Sequence, residues 1–310
     1  MEARGRVLTF KDILKLYARK WLRLAPPYYF LWLILWGITS RAASGPIWSN
    51  TDISYVSCST NYWPTALMIG NLIPVDVVPY SGCYQSAWPL QVDIQIYLFV
   101  PFLAMLYWKS PSAGFCFCLL MVVANLGMNV YYSYYYDLKI GFVAANNFNL
   151  MTAILAKPWL HMYDVAIGIV CAHLYFTILK YRRLKTPEEK AELHPILHKF
   201  HKSRLHGNFL IIFGVLLIAG NLVYITPYNA NPDKSSKLHN GLYYALSRPT
   251  FVIGAAMILM AIFLGHYGFA RAFLSGNNMR LLARTTAIAC VFEILVIQLL
   301  FNSNATPEGI

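Results

Sequence analysis

Runs of about 20 apolar residues recur along this chain, and they limit what it can fold into more than any other feature. A run of that length crosses the ~30 Å hydrocarbon core of a bilayer as a helix. Backbone N–H and C=O groups find no partner in hydrocarbon, so only helices and closed barrels can cross it. The runs here are continuous rather than alternating, which argues against a barrel. The expected fold is therefore all-α: a multi-pass helical membrane protein with about seven transmembrane helices. The spans fall near 24–39, 88–108, 112–130, 160–180, 208–227, 241–267 and 284–302. Composition agrees: 58% of the residues are hydrophobic and 12% charged, where soluble domains carry roughly 25% charged residues.

The net charge of +12 raises the possibility of nucleic acid, but its placement points to topology instead. With the N-terminus inside, the segments 1–23, 109–111, 180–207 and 269–284 hold 19 of the 25 Lys and Arg residues. The outside loops hold five, and Arg248 lies within a span. This is the bias of cytoplasm-facing loops, and the opposite orientation would invert it. "Inside" means the cytoplasm or, for an inner mitochondrial membrane, the matrix. The membrane could equally be an endomembrane or the plasma membrane. The expected partner is the lipid bilayer, with no nucleic acid. Residues 1–23 read as a basic interfacial helix with Phe10, Ile13, Tyr17 and Trp21 at helical spacing. Glu2 and Asp12 speak against a mitochondrial address there. Residues 24–302 form the transmembrane domain and 303–310 a C-terminal tail. The tyrosines of "YYSYYYD" at 131–137 suit a membrane interface.

Cys58 and Cys83 share one outside loop. They pair as a disulfide if that side is oxidising and stay two free thiols if it is not. Cys116, Cys118, Cys171 and Cys290 lie in spans as packing residues. In the inside connector, Thr186, Pro187, Glu188 and Glu189 form a helix start. His194, His198 and His201 have spacings of four and three, but Pro195 interrupts them and no further ligand is in view, so no metal site is expected.

Ionisable groups inside a membrane are costly and tend to serve a function. The candidates are Asp93 in the second span, His161 and Asp164 in the fourth, Arg248 in the sixth and Glu293 in the seventh. Asp93 and Tyr97 share a helix face, as do His161 and Asp164. A membrane arginine can keep a carboxylate ionised, and the carboxylate can then bind or deprotonate a polar substrate. The structural alternative for each is an ion pair or a polar group satisfied between helices.

Several motifs then coincide in order. "YARKWLRLAPPYYFLWLI" (17–34) resembles the Arg-rich approach to a span in the acyltransferase-3 family, in its nose-resistant-to-fluoxetine-like branch. "WPLQVDIQIYLFVP" (88–101) is similar to that branch's Trp-x-Leu-x-x-Asp-x-Gln-Phe-Tyr pattern through Trp88, Leu90, Asp93, Gln95 and Tyr97, with Ile96 in place of Phe. "KPWLHMYDVAIGIVCAHLY" (157–175), "YYALSRPTFVIG" (243–254) and "FLSGNNMRLLARTT" (273–286) resemble later family segments, and Cys58 and Cys83 fit cysteines of the branch's outer loop.

The resemblance implies a membrane O-acyltransferase that moves an acyl group from acyl-CoA, a co-substrate rather than a bound cofactor, to a hydroxyl of a glycan or lipid. By position, Lys20 and Arg23 would hold the donor's phosphates, and Asp93 and Arg248 would be the catalytic pair. Trp88, Gln95, Tyr97, His161, Asp164 and Glu293 would line the cavity. The pattern also departs from the family. His161 stands where an arginine is usual and Glu293 where a histidine is usual. The span that carries the family's catalytic histidine is expected before residue 1. The chain thus reads as truncated or degenerate: a pseudoenzyme acting as an accessory or structural subunit of a larger membrane complex, a respiratory one among the settings. The alternatives are an active O-acyltransferase, and a lipid or small-molecule transporter, which would call for inverted repeats that are not seen.

Overall fold

The computed structural model describes residues 9–37, 58, 61–73, 87–141, 150, 154–283, 285, 286 and 289. Among these there is helix and no strand. Five helices are long and apolar enough to cross a membrane: Trp88–Lys109, Pro111–Tyr135, Pro158–Arg183, Arg204–Asn229 and Lys237–Leu264. They correspond to the second through sixth expected spans, so the protein is an all-α, multi-pass membrane protein. The expected seventh span, with Glu293 and Cys290, lies outside the described residues, as does Cys83. The chain divides into two compact units: Met1–Met105, Phe148–Trp159 and Leu281–Ile310 form one, and Leu106–Asn147 and Leu160–Arg280 the other.

In the first unit, helix α1 runs from Phe10 to Gly37 without a break. The expected interfacial segment and first span are thus one helix, started by Asp12 accepting from both the Thr9 amide (3.1 Å) and hydroxyl (2.7 Å). Pro26 and Pro27 sit inside it. Neither has an N–H, so the carbonyls of Leu22 and Arg23 lose their usual donors and the helix is weakest there. The second span is interrupted: α2 is Trp88–Tyr97 and α3 is Val100–Lys109. Pro101 explains this, because its ring and missing N–H exclude a straight helix through residue 97. At the gap the Leu98 carbonyl accepts from the Tyr17 hydroxyl of α1 at 2.7 Å.

In the second unit, α4 (Pro111–Tyr135) starts on Ser110, whose hydroxyl accepts from the Ala113 amide, with Pro111 in the first turn. A 3-10 turn at Pro158–His161 leads into α5 (Met162–Arg183). Then follow α6 (Pro187–Leu193), α7 (Pro195–Lys202), α8 (Arg204–Tyr224), α9 (Thr226–Ala230), α10 (Lys237–Leu264) and α11 (Gly268–Leu274). The expected helix start at Thr186 is present as a capping box with Glu189. α10 stops at Gly265, whose φ of 96° favours glycine.

Close approach of α8 and α10 depends on Gly214 and Gly254. A Cβ on either would come within 2.8 Å of the other's carbonyl oxygen. Small residues give membrane helices this proximity, since no hydrophobic effect draws them together in lipid. The other side of α8 carries Phe209, Ile212 and Leu216, all exposed, as a lipid-facing helix should be.

Candidate functional site

In the first unit the α2 motif is woven into a polar network. Asn71, only 2% exposed, is its hub. Its amide nitrogen donates to the Gln95 side-chain oxygen (3.0 Å) and to the Ala156 carbonyl (2.8 Å). The Gln95 nitrogen donates back to the Asn71 side-chain oxygen (2.7 Å) and to the Met68 carbonyl (2.9 Å). Met68 has a φ of 57°, a left-handed conformation uncommon for such a residue, and Gln95 holds it there. One turn earlier, Gln91 donates to the Tyr28 hydroxyl (2.8 Å), which donates to the Thr65 carbonyl (2.8 Å). Tyr29 donates to Ala66 at 2.6 Å. Residues 61–73 are thereby held by α1, α2 and the segment at 154–156.

Asp93 lies on another face of α2. Its carboxylate is 2.6 Å from the Lys20 ammonium, and the two side chains are 49% and 19% exposed. Lys20 also sits 4.9 Å from the centroid of the Tyr97 ring, which Tyr17 meets edge-on at 6.4 Å. The expected shared face of Asp93 and Tyr97 is therefore occupied by a lysine. Arg23 is exposed on α1, and Trp88 is half-buried at the start of α2. Cys58 is buried, and the expected bridge to Cys83 falls outside the described residues.

The second unit holds a different arrangement. Asn125, Asn129 and Ser133 are four residues apart on α4 and all buried. They form a polar stripe on one helix face. Asn129 donates to the Asn125 side-chain oxygen at 3.0 Å and to its carbonyl at 2.9 Å. The Asn129 side-chain oxygen and the Ser133 hydroxyl have no hydrogen-bond partner among the described residues. α10 packs beside this face, with Val130 against Gly241. Seven residues along α10, ~10 Å further into the membrane, comes Arg248. Its guanidinium lies close to the Tyr163 hydroxyl of α5, and Nη1 is buried with no hydrogen-bond partner among the described residues. Beside Tyr163, His161 Nδ1 lies 3.5 Å from the Asp164 carboxylate.

Buried polar atoms are almost always satisfied, and orphans call for water, an ion or a ligand. α4 and α10 thus carry Asn129 Oδ1, the Ser133 hydroxyl and Arg248 Nη1 as buried atoms with no partner among the described residues. Arg248, His161 and Asp164 belong to this unit, whereas Asp93, Gln95 and Tyr97 belong to the other. Sequence reading missed Asn71, Tyr28, Gln91 and Tyr163 as partners. It also missed the α4 stripe, although three polar residues at spacing four in an apolar helix signal it. Outside the spans, Lys139 pairs with Asp233, and Lys237 with Asp137 at 3.0 Å. The hydrogen bond to Asp233, and then its charge, raise the Lys139 ammonium pKa above the usual 10.5.

His198 bonds the Tyr181 hydroxyl (3.1 Å) and His201 Nδ1 the Leu264 carbonyl (2.7 Å). Those histidines pin α7 to the ends of α5 and α10. Among the described residues, no group of three or more His, Cys, Asp or Glu could hold a metal ion. No family model, curated protein or solved structure matches this chain.

Proposed function

We propose that this chain is an acyltransferase-3-like integral membrane protein, of the nose-resistant-to-fluoxetine-like branch, that keeps the family's framework and serves as an accessory or structural subunit of a larger membrane complex. The support is where the motif's polar groups go. Gln91 and Gln95 brace residues 61–73, and the Asp93 carboxylate is held by Lys20. His161 and Glu293, standing where the family has arginine and histidine, point the same way. The expected N-terminal side is the cytoplasm or the matrix. Solubilised in mild detergent, the protein should co-purify with partner chains in fixed stoichiometry. A monodisperse lone monomer would overturn the proposal.

A second reading, O-acyl transfer from acyl-CoA, is favoured by Arg248. Its Nη1, buried and without a partner among the described residues, is the kind of donor that stabilises developing negative charge. On this reading Arg23, exposed on α1, contacts donor phosphate more readily than Lys20, which would first have to leave Asp93. Purified protein would then turn over a labelled short acyl-CoA, and Arg248→Ala would abolish the activity. Absence of turnover with every acyl-CoA length tried would sink this reading.

A further inference from the structure

The second unit carries a half-open cavity of about 490 Å³, lined by side chains of α4, α5, α7, α8 and α10. Its walls carry essentially no polar surface, so ordered water has nothing to bond to there. Along α5 the lining runs from Ala166 to Ile178, a rise of ~18 Å, a little more than half the ~30 Å hydrocarbon thickness. The cavity therefore has the depth of one leaflet.

One end of the cavity is closed by α7, whose Ile196, Leu197 and Phe200 line it. The histidine contacts described above hold α7 in place. Lys199 and Lys202 of the same helix point elsewhere and are exposed, as are Arg183 and Arg204 at the neighbouring helix ends. Residues 180–204 carry eight Lys and Arg against three Glu, and all three Glu lie in α6 rather than α7. A dry slot of one leaflet's depth, bordered by cations, matches a molecule with an apolar tail and a negative head.

We propose that this cavity holds one acyl chain of an anionic phospholipid from the leaflet beside the 184–203 connector, with the headgroup against Lys199 and Lys202. The cavity stands whether or not the chain transfers acyl groups.

The test reconstitutes the full chain in vesicles of equal parts phosphatidylglycerol and phosphatidylcholine with identical chains. The protein is then extracted in mild detergent, and retained lipid is counted by native mass spectrometry. One phosphatidylglycerol per protein is expected. Ala256→Phe, which fills the cavity wall on α10, should lower retention by about tenfold or more, as when two methylenes can no longer be buried. The double variant Lys199→Gln, Lys202→Gln should keep a bound lipid but lose about tenfold in headgroup preference. If Ala256→Phe does not fold, the lysine variant carries the test alone. Equal retention of both lipids by the unmodified protein, or no retained lipid, would overturn the proposal. So would undiminished retention in a folded Ala256→Phe variant. Replacement of the phospholipid by added palmitoyl-CoA would assign the cavity to a thioester instead.

Discussion

The two units differ in how far they satisfy buried polarity. In the first, nearly every polar atom of Asn71, Gln95 and Tyr28 closes on another protein atom, and Gln91 Oε1 is the buried side-chain atom left without a partner among the described residues. In the second, Asn129, Ser133, His206 and Arg248 each leave one buried atom without a partner among the described residues. A closed network rigidifies what it joins, whereas an open one is a standing cost that only a missing partner removes. The 88–101 segment therefore lies in the more nearly closed network. The less conspicuous α4 stripe lies in the open one.

The contrast makes quantitative expectations, the largest at Asn71. Asn71→Leu strips partners from Gln95 and from the Ala156 carbonyl, and each orphan costs ~1–3 kcal/mol. The unfolding midpoint in detergent should fall markedly, and residues 61–73 should become cleavable by protease. An unchanged midpoint would mean that the network closes nothing.

Next comes Arg248→Met. Removing a partly buried cation that is only partly satisfied should leave stability unchanged or raise it by ~1–3 kcal/mol. A loss as large as that of Asn71→Leu would place Arg248 in the same structural class and erase the distinction between the units.

Lys20→Met should cost only ~0–1 kcal/mol, because the Asp93 side chain is half-exposed and solvent screens the pair. A larger loss, read from the same melts, would move Asp93 into the closed network.

The smallest effect belongs to the exposed loop pair Lys139–Asp233. The Lys139 pKa is raised in the folded protein, so the pair's contribution is complete below the unfolded value of 10.5. It is lost as pH climbs through the higher folded value. Proteolysis at residues 136–141 should therefore quicken only in strongly alkaline buffer. Quickening near neutral pH would show that Lys139 is not what holds the loop.

Five of the spans were legible from hydropathy, because length and apolarity alone satisfy the bilayer. Their ends were not. α4 continues through Tyr131–Tyr135 because aromatic residues at an interface can remain helical. α10 ends at Leu264, three residues short of expectation, because the left-handed Gly265 closes it. The interfacial helix expected over 1–23 and the segment expected as the first span form one helix from Phe10, and that helix is not among the five long and apolar enough to cross a membrane. The histidine run was rightly read as broken by Pro195, which starts α7 afresh.

The sequence by itself determined that this is an all-α membrane protein, where five of its helices lie, and that a few polar residues within them carry a cost. The tertiary structure decided which of those costs are met. Asn71 meets Gln95 across 24 residues and Ala156 across 85, while Arg248 keeps an open donor beside Tyr163. Hydropathy is a local sum along the chain. Satisfaction of a hydrogen bond depends on a distance of about 3 Å between residues far apart in sequence, and only the folded packing sets it.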